Sequence, residues 1–362
     1  MVPEIDKLFE VCSKHGASDL HLKADNPPVL RVTGTMRALD TPPLSAQDIE
    51  KLIFPILSPT DLEKFKETGD LDTAYSIPRI GRFRLNIFRQ RGKAGLVARR
   101  VNPTIPSFQE LNLPKVLSKV AMHKQGLALV CGITGSGKST TLAAMIEHIN
   151  THRRCHIVTI EDPIEYMYDD KKALINQREV GLDVESFQTA LRAVVRQDPD
   201  VILIGEMRDA ETFGTALTAA ETGHLVFGTL HSSTVPQTFG RIFDIFPNDE
   251  RDALRQGLMF NLISIICQKL APTVDGKGRV PVHEILVMNP TIQKLLQEGK
   301  EKKMGDVIRN YPDDGMCDFN QSLYRLAEEG KITKKTALKM SHNPEQLKMN
   351  FKGIFISDRG IV

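Results

Sequence analysis

Gly132-Ile133-Thr134-Gly135-Ser136-Gly137-Lys138-Ser139 is the stretch on which the reading of this chain turns. The apolar run Leu127, Ala128, Leu129, Val130, Cys131 ahead of it reads as a buried strand. Behind it, Thr140 to Asn150 carries Leu142, Met145, Ile146 and Ile149 at helical spacing. A glycine-rich loop between strand and helix turns backbone N–H groups, here those of Gly135, Ser136 and Gly137, toward phosphate oxygens. The positive end of the helix dipole adds to that attraction. Lys138 is expected to reach the terminal phosphates, and Ser139 to place its hydroxyl on Mg²⁺. The binding set is Gly132, Ile133, Thr134, Gly135, Ser136, Gly137, Lys138, Ser139 and Thr140, with Ser139 the candidate metal ligand. A plain glycine-rich turn is the bland alternative, and the flanking strand and helix speak against it. The expected ligands are a nucleoside triphosphate and Mg²⁺.

Bulk properties narrow the class. At 362 residues the chain is long enough for two domains and a smaller third. Hydrophobic residues at 41% and charged residues at 25% suit a soluble globular protein with real cores. A formal net charge of +2 from 47 basic and 45 acidic residues gives no global field for nucleic acid, so no nucleic-acid partner is expected. Cys12, Cys131, Cys155, Cys267 and Cys317 include no C-x-x-C pair, which argues against a zinc site or disulfide framework and suits a reducing cytoplasm. The start lacks the basic and apolar regions of a signal peptide, and no apolar run is long enough to span a bilayer. Membrane association is expected only through a partner.

Outward from the loop, residues 1–101 read as a small α+β domain. Ile5, Leu8, Phe9 and Cys12 share one helix face ended by Gly16, and a polar helix starts from Ser45. Short β signals lie at Leu20 and Leu22, Val29 to Val32 and Thr73 to Ile77. Arg82 to Phe88 with Gly95 to Val101 reads as a hairpin. Prolines punctuate a linker over 102–115. Over 116–290 strands alternate with helices: strands at His156–Ile160, Val201–Ile204 and Leu225–Thr229, helices at Val184–Arg196 and Ala210–Glu221, and a long helix at Arg251–Lys269. That rhythm predicts an α/β fold with a mostly parallel sheet covered on both faces. Residues 291–350 read as helical, and 351–362 as a tail.

Binding a triphosphate does not hydrolyse it. Hydrolysis calls for a carboxylate to orient water, a second acid for the metal shell, and positive charge for the transition state. Val201-Ile202-Leu203-Ile204-Gly205-Glu206 is an apolar strand ending in a carboxylate, and Glu206 is the candidate to polarise the attacking water. The plainer reading is an acidic helix N-terminus, since Asp209 and Glu211 follow. A second strand, His156 to Ile160, delivers Glu161, Asp162 and Glu165, whose mutual repulsion a cation would relieve. Glu161 is favoured by strand-end position, with a solvated acidic turn as the alternative. His231 follows the strand Leu225 to Thr229 at the same edge, where it would sense the terminal phosphate; His224, ahead of that strand, stays unassigned. Joint metal ligation by the two histidines is unfavourable, because the strand holds them roughly 20 Å apart.

Positive charge comes from elsewhere. In Gly81-Arg82-Phe83-Arg84-Leu85-Asn86-Ile87-Phe88 the period of two puts Arg82, Arg84 and Asn86 on one face, and Arg99 on the next strand can join them. Two roles stay open for this row: an ion-paired surface, or fingers that neutralise the γ-phosphate from a neighbouring domain or subunit. The second implies an oligomer.

Further stretches carry a family resemblance: Ala17-Ser18-Asp19-Leu20-His21-Leu22, Thr159-Ile160-Glu161-Asp162-Pro163-Ile164-Glu165-Tyr166, Asn176 to Val180, Gln197 to Asp209, and Thr222-Gly223-His224 to His231. Together they resemble the secretion ATPases, most closely the type IV pilus retraction ATPases (PilT-like). The resemblance implies a PAS-like N-terminal domain, a RecA-like ATPase domain and assembly as a homohexamer. ATP would sit between the two domains, with Glu206, Glu161 and His231 in catalysis and Arg82, Arg84 and Arg99 reaching toward it. The implied partner is the inner-membrane pilus platform protein, which makes the chain cytoplasmic and peripheral at the inner membrane. Closure around ATP and reopening after hydrolysis would remove pilin from the fibre base. The chain lacks the tetracysteine insert of extension and secretion relatives, which favours retraction. Thr291-Ile292-Gln293-Lys294-Leu295-Leu296-Gln297 carries glutamines where the family's retraction motif has arginines, and Gly315 to Tyr324 looks similar to the accessory paralogue (PilU-like). The alternatives are that accessory motor working with a paralogous retraction ATPase, an extension or type II secretion ATPase, and a nucleic-acid motor. A nucleotide-gated assembly protein with little turnover is a further one. The absence of tryptophan and the presence of only 5 tyrosines disfavour a stacking channel for single strands.

Overall fold

The structure is a computed structural model that describes residues 4–102 and 104–354, together with the short strands Ile356–Ser357 and Gly360–Ile361. Of the expected tail, residues 355, 358, 359 and 362 lie outside the described residues. The chain forms two compact units, Met1–Thr104 with Glu165–Met167, and Ile105–Ile164 with Tyr168–Val362.

In the first unit, α1 (Ile5–Lys14) leads into β1 (Asp19–Leu22), β2 (Val29–Val32) and β3 (Thr35–Ala38). Two helices follow, α2 (Ala46–Ile53) and α3 (Pro59–Thr68), then β4 (Asp70–Ile77), β5 (Gly81–Gln90) and β6 (Lys93–Arg100). Ser45 caps α2 through a reciprocal bond set with Asp48. The strands form one antiparallel sheet in the order β3-β2-β1-β6-β5-β4. Ile5, Phe9 and Cys12 pack with Phe83, Leu85, Ile87, Leu96 and Ala98 in its core. The period of two on β5 therefore holds, with Arg82, Arg84 and Asn86 on the opposite face. Strand β3, Thr35-Met36-Arg37-Ala38, is too short for its one alternation of Met36 and Ala38 to be read, all four of its residues are exposed, and it pairs only with β2.

The second unit opens with α4 (Lys115–Ala121), β7 (Gly126–Cys131), α5 (Lys138–His152), β8 (His156–Glu161) and β9 (Leu174–Glu179). It continues through α6 (Phe187–Val194), β10 (Val201–Ile204), α7 (Ala210–Glu221), β11 (Leu225–Leu230), α8 (Val235–Asp244) and α9 (Arg251–Asn261). Strands β12 (Leu262–Pro272) and β13 (Arg279–Val287) precede five helices: α10 (Pro290–Gln297), α11 (Met304–Ile308), α12 (Phe319–Glu328), α13 (Lys334–Met340) and α14 (Pro344–Phe351). The sheet order is β13-β12-β7-β11-β10-β8-β9, parallel except for β13. Leu129, Val158, Ile202 and Val226 bury one face, and Ala128, Val130, Leu203 and Phe227 the other. The α/β class with a mostly parallel sheet is observed.

One expected element is wrong. The long helix Arg251–Lys269 stops at Asn261, and the chain turns extended at Leu262 to run beside β7. From Leu262 to Cys267 every residue is buried, so both faces are apolar and periodicity cannot separate strand from helix. Ile263, Ile265 and Ile266 are β-branched, the composition that favours the strand.

Candidate nucleotide-hydrolysis site

The loop turns because its glycines permit it. Gly135 and Gly137 have φ of 77° and 87°, and Gly137 caps α5. A Cβ on Gly132 would lie 2.4 Å from Ser136 Oγ and 2.6 Å from the Gln268 carbonyl, so no other residue fits there. Gly135 meets nothing within 4 Å, and Ile133 is 63% exposed at the loop's crest. Lys138 Nζ donates to the carbonyls of Gly132 at 2.8 Å and Ile133 at 3.3 Å. Burial draws its ammonium below the usual lysine range, against the opposing pull of Glu206. Ser139 is exposed at the first turn of α5, followed by half-buried Thr140.

The parallel register then gathers the catalytic candidates. Leu230 pairs with Cys131, and Ile204 pairs with both Gly228 and Ile160, so β7, β8, β10 and β11 end at one edge of the sheet. That edge is the carboxyl end, where open α/β sheets bind ligands. Glu206 Oε2 accepts from Arg208 Nη2 at 2.6 Å, and Oε1 lies 3.1 Å from His231 Nε2. The Arg208 bond, outweighing burial and helped by the charges of Arg208, His231 and Lys138, holds Glu206 below the usual carboxylate range. It is therefore an anion that can orient water. Glu161 is 8% exposed and accepts from Thr159 Oγ1 at 2.7 Å and Gln177 Nε2 at 3.2 Å. The helix-capping role weighed for Glu206 falls to Asp209, whose carboxylate accepts from the Thr212 backbone at 2.8 Å.

Other candidates lie elsewhere. His224 sits at the opposite end of β11, where its Nδ1 meets the Ala219 carbonyl at 2.8 Å and closes α7. Glu165 belongs to the first unit, and Asp162 is exposed. Arg82, Arg84 and Arg99 also belong to the first unit, where Arg84 is directly opposite Arg99 on paired strands. Arg99 Nε donates to Asp19 Oδ1 at 2.9 Å, and Arg82 Nη1 to Ser76 Oγ at 3.4 Å. Asp19, 3% exposed, also accepts from Ser18 at 2.7 Å; these bonds overcome burial and keep it ionised.

Sequence reasoning missed Arg208, although it stands two residues after Glu206. It also missed Gln268 on β12, whose Nε2 donates to the Ser136 carbonyl at 2.7 Å. A charged residue so close to a strand-end carboxylate was a readable signal for the first. The second was hidden in the segment taken for helix. Among the described residues, no group of three or more His, Cys, Asp or Glu could hold a metal by itself. No helix among the described residues is long and apolar enough to cross a membrane.

The profile of the type II/IV secretion system protein family matches residues 2–337. The chain belongs to this family. It is 43% identical over 342 residues to the type IV pilus retraction ATPase PilT of Pseudomonas aeruginosa, covering 94% of this chain and 99% of that protein. It is 39% identical over 349 residues to the type IV pilus ATPase PilU of the same organism, covering 96% and 91%. The crystal structure of the pilus retraction motor PilT with bound ADP superposes at a TM-score of 0.87 with 44% identity, covering 96% of this chain and 98% of that one. Among secretion ATPases, the chain groups with the pilus ATPases.

Proposed function

We propose that this secretion ATPase hydrolyses ATP to drive retraction of a type IV pilus, as a homohexamer in the cytoplasm against the inner-membrane platform protein. The observation that carries the reading is one sheet edge bearing the glycine-rich loop, Lys138, the doubly held anion Glu206, and His231. In this reading the loop N–H groups and Lys138 bind the phosphates. Ser139 and Glu161 are the residues that would hold Mg²⁺, which would supply charge neutralisation to the phosphates. Glu206 orients the attacking water. Each of its oxygens has one partner and keeps a second lone pair with which to accept from that water. Arg82, Arg84 and Arg99 supply positive charge from the first unit, of the same or an adjacent copy.

A specific observation favours a second reading, an accessory motor that works beside a paralogous retraction ATPase. In place of a cation, the neutral amide of Gln293 donates from Nε2 to the Met259 carbonyl at 3.2 Å and ties α10 to α9. Lys138→Ala is expected to abolish nucleotide binding. Glu206→Ala should retain ADP binding while kcat drops roughly 100-fold or more. Turnover that survives Glu206→Ala removes the water-orienting role. Deletion of the gene with imaging of pili separates the directions: excess fibres that never shorten mean retraction, bald cells mean extension. An intermediate loss of retraction, restored only with a paralogue present, means the accessory role.

A further inference from the structure

Beneath the phosphate loop lies a set of buried polar groups that the hydrolysis chemistry does not use. Gln268 on β12 and His283 on β13 are cross-strand neighbours, 2% and 0% exposed. Gln268 Nε2 donates to the Ser136 carbonyl at 2.7 Å. Its Oε1 accepts from Thr141 Oγ1 at 2.8 Å and faces His283 Nε2 at 2.9 Å. Chemistry fixes this orientation. A carbonyl oxygen only accepts, so the amide nitrogen must face Ser136, which leaves the amide oxygen to Thr141 and His283. His283 therefore carries its proton on Nε2. Burial draws its pKa down to about 3, so it is a neutral, constant donor at working pH. Its backbone N–H donates in turn to Ser322 Oγ of α12 at 3.1 Å.

The geometry of one peptide plane gives this set a purpose. In a trans peptide, the Ser136 C=O and the Gly137 N–H point in opposite directions. Anchoring that carbonyl on Gln268, on the sheet side of the loop, turns the Gly137 N–H into the loop's interior. The fit is close: a Cβ on Gly137 would lie 2.8 Å from Gln268 Nε2.

We propose that Gln268, locked by Thr141 and His283, is a positioning residue that holds the Ser136–Gly137 peptide in its phosphate-accepting orientation. This rests on the reading of the loop as a nucleotide cradle. Without the anchor the peptide is free to rotate and to present a carbonyl oxygen to an anion. The N–H contact acts alike on bound substrate and transition state, so its loss appears in KM and Kd rather than kcat.

The test uses the full-length chain, with ADP affinity, ATP kinetics and inhibition by inorganic pyrophosphate as readouts. In Gln268→Met, ADP affinity, KM for ATP and pyrophosphate inhibition should each weaken by roughly 10- to 100-fold, with kcat within about 3-fold of the parent. Adenosine, which has no phosphate, should bind as before. His283→Leu should weaken ADP by several-fold, and His283→Gln, which keeps a donor, should stay near the parent. Parental ADP affinity in a folded Gln268→Met, equal losses for adenosine and ADP, or a fall confined to kcat overturns the proposal. If Gln268→Met does not fold, identical behaviour of the two His283 variants overturns it. A parent chain that binds neither ADP nor pyrophosphate removes both this inference and the function above. Parental binding with an indifferent Gln268→Met removes this inference alone.

Discussion

Glu206 owes its chemistry to the groups that hold it. With Arg208 at 2.6 Å it stays ionised well into acid, a weak base suited to orienting water. Removing the guanidinium lets its pKa rise toward the ordinary carboxylate value. Since the ionised form is the active one, Arg208→Ala should shift the acid limb of kcat/KM to higher pH, read directly from a pH–rate profile. Glu284 on β13 is the opposite case. It is 7% exposed, and burial pushes its carboxyl up to about 7, only partly offset by the Val235 N–H at 2.6 Å and the Lys269 charge. Between its ordinary pKa and about 7, the folded chain holds a proton that the unfolded chain has lost, so stability falls as pH rises across that window. Glu284→Gln should flatten the pH dependence of Tm there and stabilise the protein at pH 8 by roughly 2 kcal/mol. At this scale, legibility followed sequence separation. Lys138 and Glu206 were readable because their pattern is local. Gln268 was not, because its partners Thr141 and Ser136 are 127 and 132 residues away.

Elements were legible where one physical signal dominated. Strands β7, β8, β10 and β11 are apolar runs bounded by polar turns, and they appear within a residue or two of where they were expected. Arg82, Arg84 and Asn86 came out on one face because a strand leaves no other choice. Strand β12 was misread because burial on both faces erases the period, and β3 was missed because it is too short for its one alternation to be read. The C-terminal helices show what local chemistry can do unaided. Asp318 and Gln321 cap α12 reciprocally, the aspartate accepting from the Gln321 backbone at 2.7 Å. Asp318→Ala should cost about 1 kcal/mol in denaturant unfolding. A loss well below that would mean that packing of Phe319, Leu323 and Leu326 holds α12 without its cap.

For the whole molecule, the pilus ATPase reading separates into parts that can be tried independently. If arginines of one copy serve the loop of another, Arg82→Ala subunits with an intact loop, mixed with Lys138→Ala subunits, should regain some turnover in steady-state phosphate release. Verified mixed assemblies without recovery would confine those arginines to their own subunit. An excursion as short as Glu165–Met167 leaves no mark in composition. Yet that excursion means the polypeptide passes from one unit to the other at residues 104–105, returns at 164–165 and passes again at 167–168. Severing 104–105 cuts residues 1–104 from the rest of the chain, and only Glu165–Met167 of the first unit then stays covalently joined to the second. The return at 164–165 lies three residues after Glu161, so the end of the strand that carries this carboxylate is joined by a short covalent run to the first unit.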